Sequence, residues 1–278
     1  MLTLNINRMN QRIKEEYITL WRDCFGDEIE FIDEFYNFAI SKGYIHKHII
    51  DNKLVGFLHL IPISLLSNKG LMNGYYLYSV ATDPQWRGQG ISSKLFHSSI
   101  KSLDYSFIVT VPASESLFDF YKKQGFNTII GKENIEIKKE VILQKSSFNH
   151  NIVTLKAPRL QDIRSKQLDT ILWDDDHMEF MVTQAIKDGA ALWCWGKELN
   201  SYLWAQQINN KIIILETSES SHTTLPIIEL FNYFPSAISA VVTNRIGTGG
   251  ERANYASLLC KDDIVINEEL FVNLTMDI

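Results

Sequence analysis

Apolar residues Ile13, Tyr17, Leu20, Trp21 and Cys24 recur at intervals of four, three, one and three, which puts them on one face of a helix over residues 11–24. Phe25-Gly26-Asp27 interrupts the pattern, and Asp27 is placed to cap a second helix with Ile29, Ile32, Tyr36 and Ala39 on one side and Gly43 at its end. From 44 to 82 the period changes. Apolar and β-branched stretches separated by Asp51-Asn52-Lys53 and Ser67-Asn68-Lys69-Gly70 predict three strands. Pro62 lacks an N–H, so it predicts a bulge or an edge in the middle strand. After Asp83-Pro84 and a glycine-containing loop, Ile91, Leu95, Phe96, Ile100 and Leu103 mark a helix. A strand at 105–111, a helix at 114–124 closed by Gly125, and a strand or strand pair from Phe126 to about Leu143 complete the first half.

The polar segment 145–151 reads as a linker. Beyond it the same grammar returns. Helical signals lie near 159–168 and 176–188, strands at about 190–197, 201–208 and 211–217, a helix over roughly 223–234 and a strand over 238–243. Helix, helix, three strands, helix, strand therefore occurs twice, which implies a diverged internal duplication with domains at 1–145 and 152–278.

Composition narrows the class. A 278-residue chain with 45% hydrophobic and 22% charged residues can bury two ordinary cores. A net charge of -6, with no long basic run, argues against nucleic acid as a partner. Three widely spaced cysteines, Cys24, Cys194 and Cys260, form neither a disulfide framework nor a zinc motif. No apolar run is long enough to span a membrane and the N-terminus does not read as a signal peptide, so a cytoplasmic location is expected.

Chemistry concentrates at Gln85-Trp86-Arg87-Gly88-Gln89-Gly90, between a predicted strand and a predicted helix. Glycines allow close backbone approach and unusual dihedrals, while the first helical turn offers unpaired N–H groups and partial positive charge. Together they can cradle a pyrophosphate, with Ser92 and Ser93 as small neighbours and Arg87 as a formal charge. Position 93 is serine, so the three-glycine dinucleotide fingerprint is incomplete, and the Lys-Ser/Thr of a Walker loop is absent. The segment Val80-Ala81-Thr82-Asp83-Pro84-Gln85-Trp86-Arg87-Gly88-Gln89-Gly90-Ile91-Ser92 resembles the acetyl-CoA signature of the Gcn5-related N-acetyltransferase (GNAT) family. Leu117 to Phe126, with Tyr121 and Gly125-Phe126, resembles the family's second signature.

The resemblance implies an α+β protein of two acyl-CoA N-acyltransferase-like domains. Each would have a central mixed, mostly antiparallel sheet flanked by helices. It implies acetyl-CoA as co-substrate and transfer to a primary amine of a small molecule or peptide. The backbone of Val80, Ala81 and Thr82 would pair with the pantetheine, and an amide there would polarise the acetyl carbonyl. Arg87, Gly88, Gln89, Gly90, Ile91, Ser92 and Ser93 would hold the pyrophosphate. Pro112, Ser114 (where the family often has Asn), Leu117 and Phe120 would line the other wall, and Tyr121 would protonate the departing thiolate.

The strand at 74–82 carries no glutamate where many family members place a base. His59, Glu28 or Glu30, or a water held by backbone carbonyls and Tyr78, are the candidates. Asp174-Asp175-Asp176-His177 reads as helix capping by Asp175 or Asp176, not a metal site, and Gly247-Thr248-Gly249-Gly250 as a turn. Trp193, Trp195 and Trp204 read as packing of a second core or the domain interface, with a substrate-wall role as the alternative. The second-half loop Thr217 to His222 has no glycine and carries Glu219, so this half is expected not to bind CoA. Two other readings stand beside the acetyltransferase: a CoA-binding regulatory module without turnover, and an aminoacyl or longer-acyl transferase. An uncovered sheet edge would offer a homodimer contact.

Overall fold

The computed structural model describes residues 2–68, 70–142, 151–167, 170–219, 224–244 and 250–261, with Ile266. Nearly all of the expected linker, the glycines at 247 and 249, and loop residues 220–222 fall outside these residues. The chain forms two compact units, Met1–Pro62 with Gly74–Thr110, and Ile63–Asn73 with Val111–Ile278.

The first unit holds α1 (Leu2–Phe25), α2 (Ile29–Lys42), β1 (Ile45–Ile50) and most of β2 (Lys53–Ser67) and β3 (Gly70–Thr82). A single 3-10 turn (Pro84–Trp86), α3 (Ile91–Ile100) and β4 (Phe107–Thr110) follow. Its strands lie in the order β1-β2-β3-β4. β1 and β2 form a hairpin closed by Asp51 and Asn52, both at positive φ, as a two-residue turn matched to strand twist requires. Pro62 lies inside an unbroken β2, three residues beyond His59, the last residue of that strand paired with β1. Gly74 sits where a Cβ would come within 2.6 Å of the Phe107 ring and carbonyl, which allows β3 to run close against β4. The helices bury Tyr17, Trp21, Ile32, Phe35 and Ala39. Gly43, at φ 72, ends α2 as expected, with its N–H bonded to the last carbonyls. Asp27 is not the cap: Glu28 takes that position without a side-chain bond, and Asp27 accepts from the Trp21 indole at 2.6 Å.

The second unit holds α4 (Glu115–Lys123), β5 (Thr128–Lys138), α5 (Lys139–Ile142), β6 (Val153–Thr154), α6 (Ala157–Arg164) and β7 (Thr170–Trp173). It continues through α7 (Asp175–Lys187), β8 (Ala191–Trp195), β9 (Ser201–Ile208), β10 (Lys211–Thr217), α8 (Ile227–Tyr233), β11 (Ser239–Asn244) and β12 (Glu251–Cys260). The strand order is β12-β5-β11-β10-β9-β8-β6, and β7 pairs with the Ile63–Leu66 end of β2. β5 is antiparallel to both neighbours, β11 and β12. Trp195, Leu203, Ile212, Ile214, Leu230, Phe231 and Val242 form a core against which Trp193 packs, and Trp204 is fully buried. The cap of α7 is Asp174, which accepts from the His177 N–H at 2.7 Å, rather than Asp175 or Asp176.

Candidate functional site

β3 and β4 pair in parallel through only three residue pairs, from Gly74↔Phe107 to Tyr76↔Val109. The next carbonyl, of Leu77, accepts from the Thr110 hydroxyl at 2.9 Å. Three residues past the end of this ladder, Ser79 has φ 48. The left-handed region costs a non-glycine residue about 1–2 kcal/mol. Such a bend persists where surrounding structure holds it, and such places cluster at functional sites. Beyond it Val80 is half-buried, and Ala81 and Thr82 are buried. Gly56 on β2 lets the strands close here, since a Cβ would lie 3.0 Å from the Ala81 carbonyl.

His59 stands behind this bend, fully buried. Its Nε2 is 2.9 Å from the Tyr17 hydroxyl and its Nδ1 is 3.3 Å from the Tyr78 carbonyl. Trp21, Phe35 and Phe57 surround the ring at centroid distances of 5.4, 5.1 and 5.5 Å. Burial pushes the His59 pKa down to about 3, against the opposing bond to the Tyr78 carbonyl, so the ring is neutral near pH 7. Tyr17 is pushed up well above its ordinary value, by burial and by the neighbouring Tyr78 and Tyr36.

Leaving β3, the chain makes a tied turn. Asp83 accepts from the Gln85 N–H at 2.9 Å and from Lys53 at 2.7 Å. The Lys53 bond is the main cause that holds its carboxyl below the usual range. Gly88 and Gly90 follow at φ 77 and 73. A Cβ at either would meet nothing within 4 Å, so glycine is demanded by the dihedral angle while the space beside it stays open. Gly90 caps α3, and the first helical bond is Lys94 N–H to the Gly90 carbonyl at 3.0 Å. Helix geometry leaves the amides of Ile91, Ser92 and Ser93 ahead of that bond without intrahelical partners. Arg87 is exposed and ties the loop to the strand, donating from Nε to the Thr82 carbonyl at 3.1 Å. Ser92 Oγ is 3.0 Å from Thr82 Oγ1. An exposed loop with two left-handed glycines, a guanidinium and open helical amides fits a phosphate-bearing ligand.

The remaining expected site residues belong to the second unit. Pro112 is buried, Ser114 and Leu117 are exposed and Phe120 is half-buried. Tyr121 is buried with its ring 5.4 Å from that of Phe126, and its carbonyl receives the Gln124 and Phe126 amides at 2.9 and 3.1 Å. Gly125, at φ 99, makes that chain reversal. The structure adds Tyr17, Ser79 and Thr110 to the residues that shape the strand bend. Tyr17 is visible in the sequence only as part of an apolar helix face, and neither Ser79 nor Thr110 carries a local signal for its role.

The second unit repeats the strand geometry with other contents. β10 and β11 pair in parallel from Lys211↔Ser239 to Ile214↔Val242 and then stop, and the β10–β9 register shifts just before Glu216. Glu216 is fully buried and takes two bonds from the equally buried Arg164, at 2.7 and 2.5 Å, and one from the Tyr202 hydroxyl. Burial opposes the charge on Arg164, but Glu216 more than offsets it and raises the guanidinium's pKa. Among the described residues no helix is long and apolar enough to cross a membrane, and no cluster of three or more His, Cys, Asp or Glu could hold a metal ion.

Residues 5–129 match the family profile described as an acetyltransferase (GNAT) domain. No curated protein sequence matches the chain. Three solved structures show the same fold. One is a conserved protein of unknown function from Enterococcus faecalis, titled a probable N-acyltransferase (TM-score 0.70, 15% identity, 89% of this chain and 70% of that one). Another is a GCN5-related N-acetyltransferase from Kribbella flavida (TM-score 0.68, 9% identity, 89% and 69%). A third is a GCN5-related N-acetyltransferase from Anabaena variabilis (TM-score 0.63, 13% identity, 89% and 70%).

Proposed function

We propose that this chain, whose residues 5–129 match the acetyltransferase (GNAT) domain profile, transfers an acetyl group from acetyl-CoA to a primary amine of a small molecule or peptide, by direct attack in a ternary complex. The observation that carries this reading is the end of the β3–β4 ladder at Tyr76, followed by the bend at Ser79 and the open glycine loop before α3. A strand edge released from its neighbour offers amides and carbonyls to an extended amide-bearing chain such as pantetheine, and Val80, Ala81 and Thr82 supply them. The loop from Arg87 to Ser93 takes the pyrophosphate on backbone amides. The resemblance assigns Pro112, Ser114, Leu117 and Phe120 to the other wall of the thioester arm.

The amine nitrogen attacks the acyl carbon, and the carbon–sulfur bond breaks. An amide of the Ser79–Thr82 stretch stabilises the negative charge that develops on the acyl oxygen. Tyr121 gives its proton to the departing thiolate. Such a thiol has a pKa of about 8.5, so the demand on that acid is modest. An alkylammonium of pKa about 10.4 must first lose a proton. We assign this to a water held by exposed backbone carbonyls and Tyr78, because both ring nitrogens of His59 are already engaged away from solvent. Residues 1–145 and 152–278 are proposed as duplicated halves, of which only the first binds CoA, in a cytoplasmic protein whose sheet edge supports a homodimer. The test is thiol release from acetyl-CoA over a panel of amines, together with mass spectrometry of co-purified acyl species. Release with at least one amine supports the reading. A bound CoA without release indicates a regulatory module, a longer bound acyl group redirects the donor, and no CoA species bound at all overturns the reading.

A further inference from the structure

We infer that His59 is a positioning residue of the proposed site: by donating from Nδ1 to the Tyr78 carbonyl, it holds the backbone bend at Ser79 and thereby aims the amides that follow.

The tautomer follows from the partners. A carbonyl oxygen only accepts, so Nδ1, at 3.3 Å from the Tyr78 oxygen, carries the ring proton. Nε2 then has a lone pair and accepts from the Tyr17 hydroxyl at 2.9 Å. The Tyr78 carbonyl thus fixes the tautomer, and Tyr17 satisfies the remaining nitrogen. The ring has no freedom to turn. It is fully buried, stands edge-on to Tyr17 and Phe35, and is flanked by Trp21 and Phe57.

The consequence passes through one rigid unit. The peptide between Tyr78 and Ser79 is trans and planar, so fixing its carbonyl fixes its N–H in the opposite direction. Ser79, at φ 48, then turns the chain, and the Val80 amide takes its direction from that turn. Serine does not choose this conformation unaided. β4 does not hold it either, because the β3–β4 ladder has ended three residues earlier. The side-chain bond to a backbone carbonyl next to Ser79 comes from His59, and no strand signal in the sequence requires a histidine there.

This inference rests on the acyltransfer reading, and its test separates the two. Three variants are compared with wild type: His59→Phe, which keeps a ring of similar size but has no donor; His59→Asn, which can restore a donor toward Tyr78; and His59→Phe with Ser79→Gly, which makes the bend accessible without support. Amide NMR is read first, because it does not depend on turnover. In His59→Phe the Ser79 and Val80 amide shifts and the Ser79 HN–Hα coupling move away from wild type, and in His59→Asn they return toward it. Kinetics are read second. Losing a well-aimed oxyanion donor costs about 10²–10³-fold in kcat, and a partial loss of aim is expected to lower kcat for His59→Phe by about tenfold or more with CoA affinity changed less than about threefold. Both His59→Asn and the double variant recover a large part of that loss. Unaltered Ser79 and Val80 signals in His59→Phe overturn the inference, as does equal damage in all three variants, which would mark His59 as core packing alone. If wild type binds no CoA species, the acyltransfer reading fails, and the NMR arm still decides whether His59 holds the bend.

Discussion

Arg164 and Glu216 meet in a two-pronged ion pair at 2.7 and 2.5 Å with both side chains fully buried. Glu216 stands two residues past the end of the β10–β11 ladder at Ile214, as Tyr78 stands two residues past the end of the β3–β4 ladder at Tyr76. The second unit thus has a similar end to its parallel ladder, with a satisfied ion pair at the position beyond it. Breaking one side of a buried pair costs about 3–5 kcal/mol. Arg164→Met or Glu216→Gln is therefore expected to lower unfolding free energy by that order in urea titrations. Arg164→Met with Glu216→Leu should lose less than the sum of the separate changes.

Calorimetric titration with CoA is expected to give one site per chain, because the second-half loop Thr217 to His222 has no glycine and carries an acid at Glu219, while the strand position before it is filled by the Glu216–Arg164 pair. A stoichiometry of two would contradict the assignment of the second half.

Gly88 and Gly90 sit at φ 77 and 73, where a side chain costs about 1–2 kcal/mol even with open space around it. Gly90→Ala should lower stability by that order. Gly88→Glu adds a negative charge where phosphate is proposed to lie, and should weaken CoA binding by about a hundredfold or more, a loss of about 2.7 kcal/mol.

Tyr121→Phe removes the proposed proton donor and leaves the ring against Phe126. kcat is expected to fall by about a hundredfold, the low end for a general acid, while CoA affinity holds. Steady-state kinetics with an amine that supports release would measure it, and an unchanged kcat would remove Tyr121 from the mechanism.

His59 also predicts a pH dependence of stability. Its folded pKa of about 3 lies below an unfolded value of about 6.5, so the unfolded chain binds the extra proton between these values. The stability tied to keeping the ring neutral is whole above pH about 6.5 and is lost as pH falls toward 3, at about 1.4 kcal/mol per pH unit. Urea titrations at several pH values should show this slope in wild type, and His59→Asn should lack that share of it.

Most of the element order was legible in the chain itself, for periodic reasons. The 201–208 and 211–217 strands fall where the sequence expects them, because a continuous apolar run, the alternating burial of 211–217 and a two-residue Asn209-Asn210 turn are local properties. β6 and β7 escaped, being two and four residues long, too short for a period to declare itself. The sequence places the caps one residue early at Asp27 and one or two residues late at Asp175 or Asp176, since several acids stand side by side and only backbone geometry chooses among them.

The glycine loop before α3 was fully written in the sequence, because two left-handed turns and a helix start leave residue-level marks. Tertiary structure alone decided that β5 runs between β11 and β12, that β3 leaves β4 after Tyr76, and that His59 on β2 reaches Tyr17 on α1 and the Tyr78 carbonyl on β3. Those relations join residues 19 to more than 100 positions apart. They depend on which faces are buried against one another, and no local pattern encodes that.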